Sequence, residues 1–170
     1  MARGFRAAHD ALEAAAPTSV SDLFKAVGMA VLSKSGGASG AVFGTFFIGA
    51  AKPLPHADMT AAAFVEALAA GTQAVRDRGK AQPGDKTMID AAVPAVEAAS
   101  AAPGDDLEAV AAAAADGARR GAEATRAMIA RFGKAKTLGE RSVGHIDPGA
   151  LSLSIILDSF AANLATRDEA

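Results

Sequence analysis

The chain has 170 residues, of which 51% are hydrophobic and 21% charged, so it can bury a core and is predicted to form a single domain over residues 1–170. Its 17 Lys and Arg against 19 Asp and Glu give a net charge of −2. This near-balance argues against a dedicated nucleic-acid binder and against a basic protein that binds membrane surfaces. Because there is no cysteine, disulfides, thiolate metal sites and cysteine nucleophiles are excluded.

Apolar residues at helical spacing predict two helices at the start of the chain. The first covers about residues 1–15 and the second about residues 21–33. Ser21 is the predicted N-cap of the second helix, because a serine hydroxyl can accept a hydrogen bond from an N–H group of the first turn.

A glycine-rich segment, residues 36–40, separates the second helix from a third one with a wide apolar face. Pro53 and Pro55 are expected to end the third helix, since neither can donate a hydrogen bond to the helical ladder. Asp58 or Thr60 is expected to cap the fourth helix, and both residue types are good N-caps.

A polar loop leads into the fifth helix. Thr87, followed three residues later by Asp90, has the form of a capping box and predicts a helix that runs to about residue 100. Pro94 lies inside this helix and is expected to kink it or to shift its start. Residues 103–106 are predicted to cap the sixth helix, which is rich in alanine and reaches about residue 131.

Asp147 at the N-cap and Pro148 at the first helical position predict a seventh and last helix. No segment has the alternating pattern of a strand, so the predicted fold is all-α, with about seven helices in up-and-down antiparallel order. The longest uncharged run, residues 35–51, is too short for a transmembrane helix, and the first residues lack an apolar signal core. A cytoplasmic location without membrane contact is therefore expected.

Three loops combine glycine or positive charge with the start of a helix: residues 36–40, 78–88 and 132–145. Unpaired N–H groups at a helix start, together with cations such as Lys86, favour the binding of an anion such as phosphate. In an up-and-down bundle these loops precede odd-numbered helices and lie at one end, which suits a nucleotide diphosphate. Taken alone, the glycine segment is more often a packing turn between helices, and the loop of residues 78–88 can be a solvated connection.

Three long segments carry a more specific signal: GMAVLSKSGGASGAVFGTFF at Gly28–Phe47, RGKAQPGDKTMIDA at Arg78–Ala91 and LGERSVGHIDPGA at Leu138–Ala150. In this order they resemble the nucleotide-binding L subunit of bacterial dihydroxyacetone (glycerone) kinase, which is also the C-terminal domain of single-chain dihydroxyacetone kinases. The resemblance covers essentially the whole chain. It implies a closed barrel of eight antiparallel helices that binds ADP or ATP with magnesium at one end.

The resemblance also implies which residues meet the nucleotide. Ala38 and Ser39 match positions that contact the phosphates, and Gly79 and Met88 match positions of the adenine pocket. Four further residues match nucleotide contacts: Arg141, Asp147, Pro148 and Gly149.

The aspartate-rich magnesium motif of the family, which resembles GDGDHG, is not found in this sequence. In the family it precedes the stretch that matches residues 1–5, and no acidic pair here replaces it, so no metal ligand is predicted and this chain alone is expected to be poorly active. One interpretation is that the sequence lacks its true N-terminus. The alternative is a metal-deficient short form that acts as a binding or regulatory partner.

The reaction implied by the resemblance is phosphoryl transfer to dihydroxyacetone, which a partner K subunit holds covalently through a histidine. In some members a phosphotransferase M subunit phosphorylates ADP that stays bound, whereas others use free ATP. The resemblance also allows contact with a transcription factor. A third interpretation is a kinase of another small ketose or of fatty acids, and the segment GERSVGHIDPGA favours the glycerone-kinase branch.

Overall fold

The computed structural model describes residues 2–54 and 58–166. Within these ranges the chain is helical and has no strand, which confirms the predicted all-α class. Seven α-helices lie in these ranges, as predicted, with short 3₁₀ segments at Thr125–Ala127 and Lys134–Ser142. The helices are α1 (Ala2–Ala15), α2 (Val20–Lys34), α3 (Gly37–Ala50), α4 (Ala61–Gly79), α5 (Ile89–Ala101), α6 (Leu107–Ala124) and α7 (Pro148–Ala165).

The helices divide into two compact units. Unit 1 is Met1–Lys80 and contains α1 to α4, and unit 2 is Ala81–Ala170 and contains α5 to α7. Within each unit, consecutive helices pack side by side and run antiparallel, as short helix connections favour. The single domain expected over the whole chain stays a prediction.

In unit 1, α2 and α3 approach closely because both carry glycine where they cross. A Cβ atom at Gly28 would lie 2.7 Å from Ile48, and one at Gly44 would lie 2.7 Å from Leu32. Beside this crossing the ring of Phe47 packs against three others, with ring centroids 5.6 to 5.9 Å apart: Phe5, Phe24 and Phe46. Close backbones and an aromatic cluster thus share the core of unit 1.

The N-cap of α2 is Ser19, and the prediction of Ser21 was wrong. The Ser19 hydroxyl accepts a hydrogen bond from the N–H of Asp22 at 3.1 Å. Ser21 lies inside the helix, where its buried hydroxyl donates to the carbonyl oxygen of Ala51 at 3.0 Å. The sequence pattern is compatible with either serine as the N-cap. The hydrogen bond from Ser21 to Ala51, a residue distant in the sequence, leaves the cap position to Ser19.

The next two helix ends agree with the sequence. α3 ends just before Pro53, as predicted, while Pro55 lies outside the described residues. Of the two candidate caps of α4, Thr60 is the one used: its hydroxyl accepts an N–H of the first turn at 3.2 Å.

In unit 2, α5 and α6 cross at two glycines of α6. A Cβ atom at Gly121 would collide with the carbonyl oxygen of Asp90, and one at Gly117 would collide with that of Pro94. In a regular helix the carbonyl of Asp90 would accept from residue 94, which is proline and has no N–H. The glycines therefore let α6 approach the part of α5 where proline interrupts the hydrogen-bond ladder.

α6 ends at Ala124, short of the predicted end near residue 131. Thr125 takes the C-cap position and starts a short 3₁₀ turn, after which the backbone becomes extended. α7 then begins as predicted, with Asp147 as its N-cap and Pro148 in its first turn.

Among the described residues, α7 is the one helix with the length and apolar composition of a membrane span. In this structure it packs against α6 and buries Leu153 and Leu157, and a core helix meets the same two criteria. Leu151 and Ile155 of α7 are exposed. The expected absence of membrane contact stays a prediction.

Candidate functional site

The connections of unit 2 meet at one end of its helices. Because α5, α6 and α7 are antiparallel neighbours, the start of α5, the end of α6 and the start of α7 lie together. We call this region, residues 82–90 and 125–149, the polar end of unit 2. It joins two of the three loops that the sequence predicts to converge, and the convergence of residues 36–40 with them stays a prediction.

Lys86 lies inside the polar end, with only 4% of its surface exposed. Its ammonium donates hydrogen bonds to the carbonyl oxygens of Thr125 at 2.6 Å and of His145 at 2.5 Å. Burial lowers the pKa of Lys86, and the nearby carboxylate of Asp147 opposes that shift. The sequence indicated Lys86 as a loop cation for an anionic ligand, and this was wrong because its charge is satisfied by main-chain carbonyls.

Thr125 is fully buried and joins α6 to α7. Its hydroxyl donates to the carbonyl oxygen of Ala122 at 2.6 Å and accepts from the N–H of Asp147 at 2.9 Å. Sequence reasoning missed this residue, because a threonine at the end of an alanine-rich helix carries no local signal.

Asp147 is half-buried and caps α7. Its Oδ2 accepts the N–H of Ala150 at 2.8 Å. Burial raises the pKa of Asp147, while hydrogen bonds from the N–H groups of Ala150 and Gly149 oppose the rise. The carboxylate is therefore committed to its own helix start.

Two other carboxylates shape the loop before α5. The Asp90 oxygens accept from the N–H groups of Gly84 at 2.5 Å and of Thr87 at 2.7 Å, the second being the bond that the capping-box pattern predicts. Asp85 is buried and accepts the N–H of Gln82 at 2.7 Å. Both side chains hold backbone in place rather than facing solvent.

The connection from α6 to α7 is fixed by Arg126 and Ser142, which sequence reasoning also missed. Arg126 donates through Nη1 to the carbonyl oxygen of Gly144 at 3.0 Å, and the main-chain carbonyl of Arg126 accepts the N–H of that glycine at 2.7 Å. The buried Ser142 hydroxyl accepts the N–H of Ala130 at 2.9 Å. The charged connection from α6 to α7 is therefore held in a defined conformation by these hydrogen bonds.

No group of three or more His, Asp or Glu side chains in residues 2–54 and 58–166 is arranged to hold a metal ion. Magnesium prefers oxygen ligands in octahedral geometry, usually with carboxylates. The carboxylates of Asp85, Asp90 and Asp147 each accept backbone N–H groups, as described above. The described residues therefore do not fit a magnesium site.

Five of the eight residues that the family resemblance selects belong to unit 2, and the structure brings Met88, Asp147 and Gly149 together. Met88 is 3% exposed and lies against Gly149, where an added Cβ would be 3.3 Å from the Met88 Cβ and 2.9 Å from Asp147 Oδ2. Pro148, between them, is exposed. Arg141 is exposed in the second 3₁₀ segment.

The other three selected residues belong to unit 1. Ala38 and Ser39 are exposed in the first turn of α3, which begins at Gly37, so the glycine segment forms the start of the helix rather than a loop before it. Its N-cap, Gly36, provides no side-chain hydrogen bond to this turn. Gly79 is the exposed last residue of α4, and antiparallel packing puts it at the same end of unit 1.

Comparison with known proteins identifies the family. The family model described as the DAK2 domain matches residues 1–162. The chain belongs to the DAK2 family. Helix order, the capped start of α7 and the exposed start of α3 are therefore features of a DAK2 domain in this chain.

Relatives of this DAK2 domain include two kinase subunits. One is the ADP-binding subunit DhaL of the PEP-dependent dihydroxyacetone kinase of Escherichia coli, 42% identical over 95% of this chain and 78% of that protein. Another is the ADP-binding subunit DhaL of the PTS-dependent dihydroxyacetone kinase of Lactococcus lactis, 38% identical over 94% of this chain and 76% of that protein.

A solved structure has the same fold. The dihydroxyacetone kinase of C. freundii matches with a TM-score of 0.67 and 28% identity over 94% of this DAK2 domain, which spans 28% of that longer chain. The same kinase has been solved in complex with AMP-PNP and Mg²⁺, and that structure matches with a TM-score of 0.63.

Proposed function

We propose that this chain is the ADP-binding subunit of a dihydroxyacetone kinase. The observation that carries the proposal is the identity with ADP-binding subunits of such kinases along almost the whole chain. The DAK2 fold and the likeness to a solved dihydroxyacetone kinase support it. The ligand is ADP or ATP.

The first turn of α3 is the proposed phosphate contact. Ala38 and Ser39 are exposed there, and the N-cap glycine leaves the first-turn N–H groups without a side-chain partner. A helix start with unpaired N–H groups and a positive dipole favours phosphate, and the Ser39 hydroxyl adds a donor. Gly79, at the same end of unit 1, is proposed to border the adenine.

The polar end of unit 2 supplies the other proposed contacts. Arg141 is exposed and is the proposed cation for the phosphates. Met88 and the turn Asp147–Pro148–Gly149 are proposed to form the wall against which the nucleoside lies. Because Met88 is buried beside Gly149, only the small exposed part of its side chain is proposed to contact adenine.

The proposed reaction is transfer of a phosphoryl group from bound ATP to dihydroxyacetone that a K subunit holds. An M subunit of a phosphotransferase system, with PEP as the source, would regenerate ATP from bound ADP. Phosphoryl transfer depends on positioning and charge neutralisation, which assigns this chain the task of holding the nucleotide. Mg²⁺ accompanies AMP-PNP in the solved kinase, and the described residues of this chain contribute no ligand set for it.

A separate role as a metal-deficient regulatory module is not favoured, because the relatives are kinase subunits by name. Contact with a transcription factor stays a prediction that no observation here supports. A cytoplasmic location fits a subunit of a PEP-dependent kinase and is proposed with it.

Thermal unfolding of the whole chain with ADP, AMP or inorganic phosphate, each with and without Mg²⁺, tests the proposal. ADP is expected to raise the Tm, since a ligand at a hundred times its Kd adds about 2.7 kcal/mol to the free energy of unfolding. Added to K and M subunits with PEP, the chain is expected to support weak phosphorylation of dihydroxyacetone, because its described residues contribute no ligand set for Mg²⁺. No Tm shift with ADP and no turnover would contradict the proposal.

A further inference from the structure

We propose that Lys86 is a positioning residue of the nucleotide site, which acts by tying the end of α6 and the segment before α7 to the loop before α5. The inference rests on the proposed function, because the segments that it positions carry proposed nucleotide contacts. Lys86 is too buried to touch the ligand itself, so it acts through the backbone that it holds.

The first line of evidence is the reach of its two hydrogen bonds. Thr125 and His145, whose carbonyls accept from the Lys86 ammonium, are 39 and 59 residues away along the chain. Hydrogen bonds between Arg126 and Gly144 already join these two segments, and the Lys86 ammonium ties both of them to the loop before α5. A hydrogen bond from a cation to a carbonyl is stronger than a neutral one, and burial strengthens it further.

The second line of evidence is the backbone of Lys86 itself. Its φ is 59°, a left-handed conformation that few residues other than glycine, asparagine and aspartate adopt without strain. Such a conformation persists where surrounding structure over-determines it, and it is frequent at functional sites. From this turn the Lys86 side chain extends into the polar end rather than into solvent.

The third line of evidence is what Lys86 holds in place. The carbonyl of His145 lies two residues before Asp147, and Thr125 also accepts the N–H of Asp147. Fixing both acceptors fixes the start of α7. Met88 follows Lys86 by two residues and lies against Gly149, so the Lys86 ammonium and the Thr125 hydroxyl together hold the proposed contacts at Met88 and Gly149 near each other.

The test compares Lys86→Met with Leu157→Ala in the whole chain. Methionine keeps the length of the side chain without its ammonium. Leu157 is buried in α7 away from the polar end, so its truncation lowers the Tm without changing the hydrogen bonds of Lys86. ADP affinity is measured by calorimetric titration, and the amide resonances of Gly144, Asp147 and Ala150 are followed by NMR without nucleotide.

We expect Lys86→Met to bind ADP at least about tenfold more weakly than the wild type, the effect typical of removing a residue that orients a binding group. The three amide resonances should move in Lys86→Met and stay in Leu157→Ala, which should bind ADP within about twofold of the wild type at a comparable loss of Tm. Equal ADP affinity in the two variants, or unmoved resonances in Lys86→Met, overturns the inference. A wild-type chain that does not bind ADP overturns the proposed function instead, and the resonances still report whether Lys86 positions the start of α7.

Discussion

The hydroxyl of Thr125 accepts a hydrogen bond from the N–H of Asp147 at 2.9 Å, so the last turn of α6 holds the N-cap of α7. The same hydroxyl donates to the carbonyl of Ala122, and Thr125 is fully buried. One side chain thus supplies the acceptor for the N–H of Asp147 and adds a donor to the Ala122 carbonyl, which also accepts from the N–H of Thr125.

Thr125→Val is expected to lower the free energy of unfolding by about 1–3 kcal/mol, because valine keeps the volume but leaves the buried N–H of Asp147 without an acceptor. Thr125→Ser keeps the hydroxyl and loses one methyl group, which costs about 1 kcal/mol. Urea unfolding of both variants measures the difference. A serine variant that is less stable than the valine variant would mean that packing, not the hydrogen bond, is the contribution of Thr125.

Local signals predicted the starts of α4 and α7 but not the end of α6. Asp147 and Thr60 cap their helices as expected, since an N-cap bonds within its own first turn and needs no distant partner. The end of α6 was predicted about seven residues late. It is determined by Thr125 and its contact 22 residues further along the chain, and the sequence continues past it to residue 132 without glycine or proline.

The sequence motifs selected candidate residues of the site, but they did not predict which side chains of the site are buried. The sequence selected Met88 and Gly149 separately, and the structure packs them together. Lys86 was expected to serve as a loop cation for an anion, and lysine is rarely buried. Its inward direction depends on two carbonyls that are far away in the sequence, and no local pattern contains that information.

Gly121→Ala is expected to destabilise the protein by about 3 kcal/mol, because the added Cβ meets the backbone of α5, which cannot move aside as a side chain can. Gly79→Ala is the matched control. Gly79 is also helical, and nothing lies within 4 Å of an added Cβ there, so alanine should be neutral or stabilising by up to about 1 kcal/mol. Thermal and urea unfolding measure both effects. Equal stability of the two variants would show that α6 can shift away from α5 at little cost.

Asp147→Asn is expected to change how stability depends on pH. The pKa of Asp147 in the folded state lies above 3.8, so as the pH rises from 3.8 the unfolded chain loses this proton first. The stability linked to the protonated carboxyl is therefore complete below pH 3.8 and is lost as the pH rises through the higher, folded-state pKa. Asparagine is an equally good N-cap and does not titrate. As the pH rises across this window, the free energy of unfolding of the variant, measured in urea, should increase relative to that of the wild type. Parallel curves would contradict the raised pKa.

Ser39→Glu separates the stability of α3 from its proposed contact with phosphate. A carboxylate in the first turn of a helix interacts favourably with the helix dipole, so the Tm should stay constant or rise slightly. The same charge repels the phosphates of ADP, and the expected loss of affinity is about tenfold, equal to about 1.4 kcal/mol. Ser100→Glu, an exposed substitution in the last turn of α5, adds the same charge at the opposite end of that helix from the polar end. Calorimetric titration with ADP compares the two. If both variants bind ADP as the wild type does, the phosphates lie away from the start of α3, and the proposed contacts of Ala38 and Ser39 are wrong.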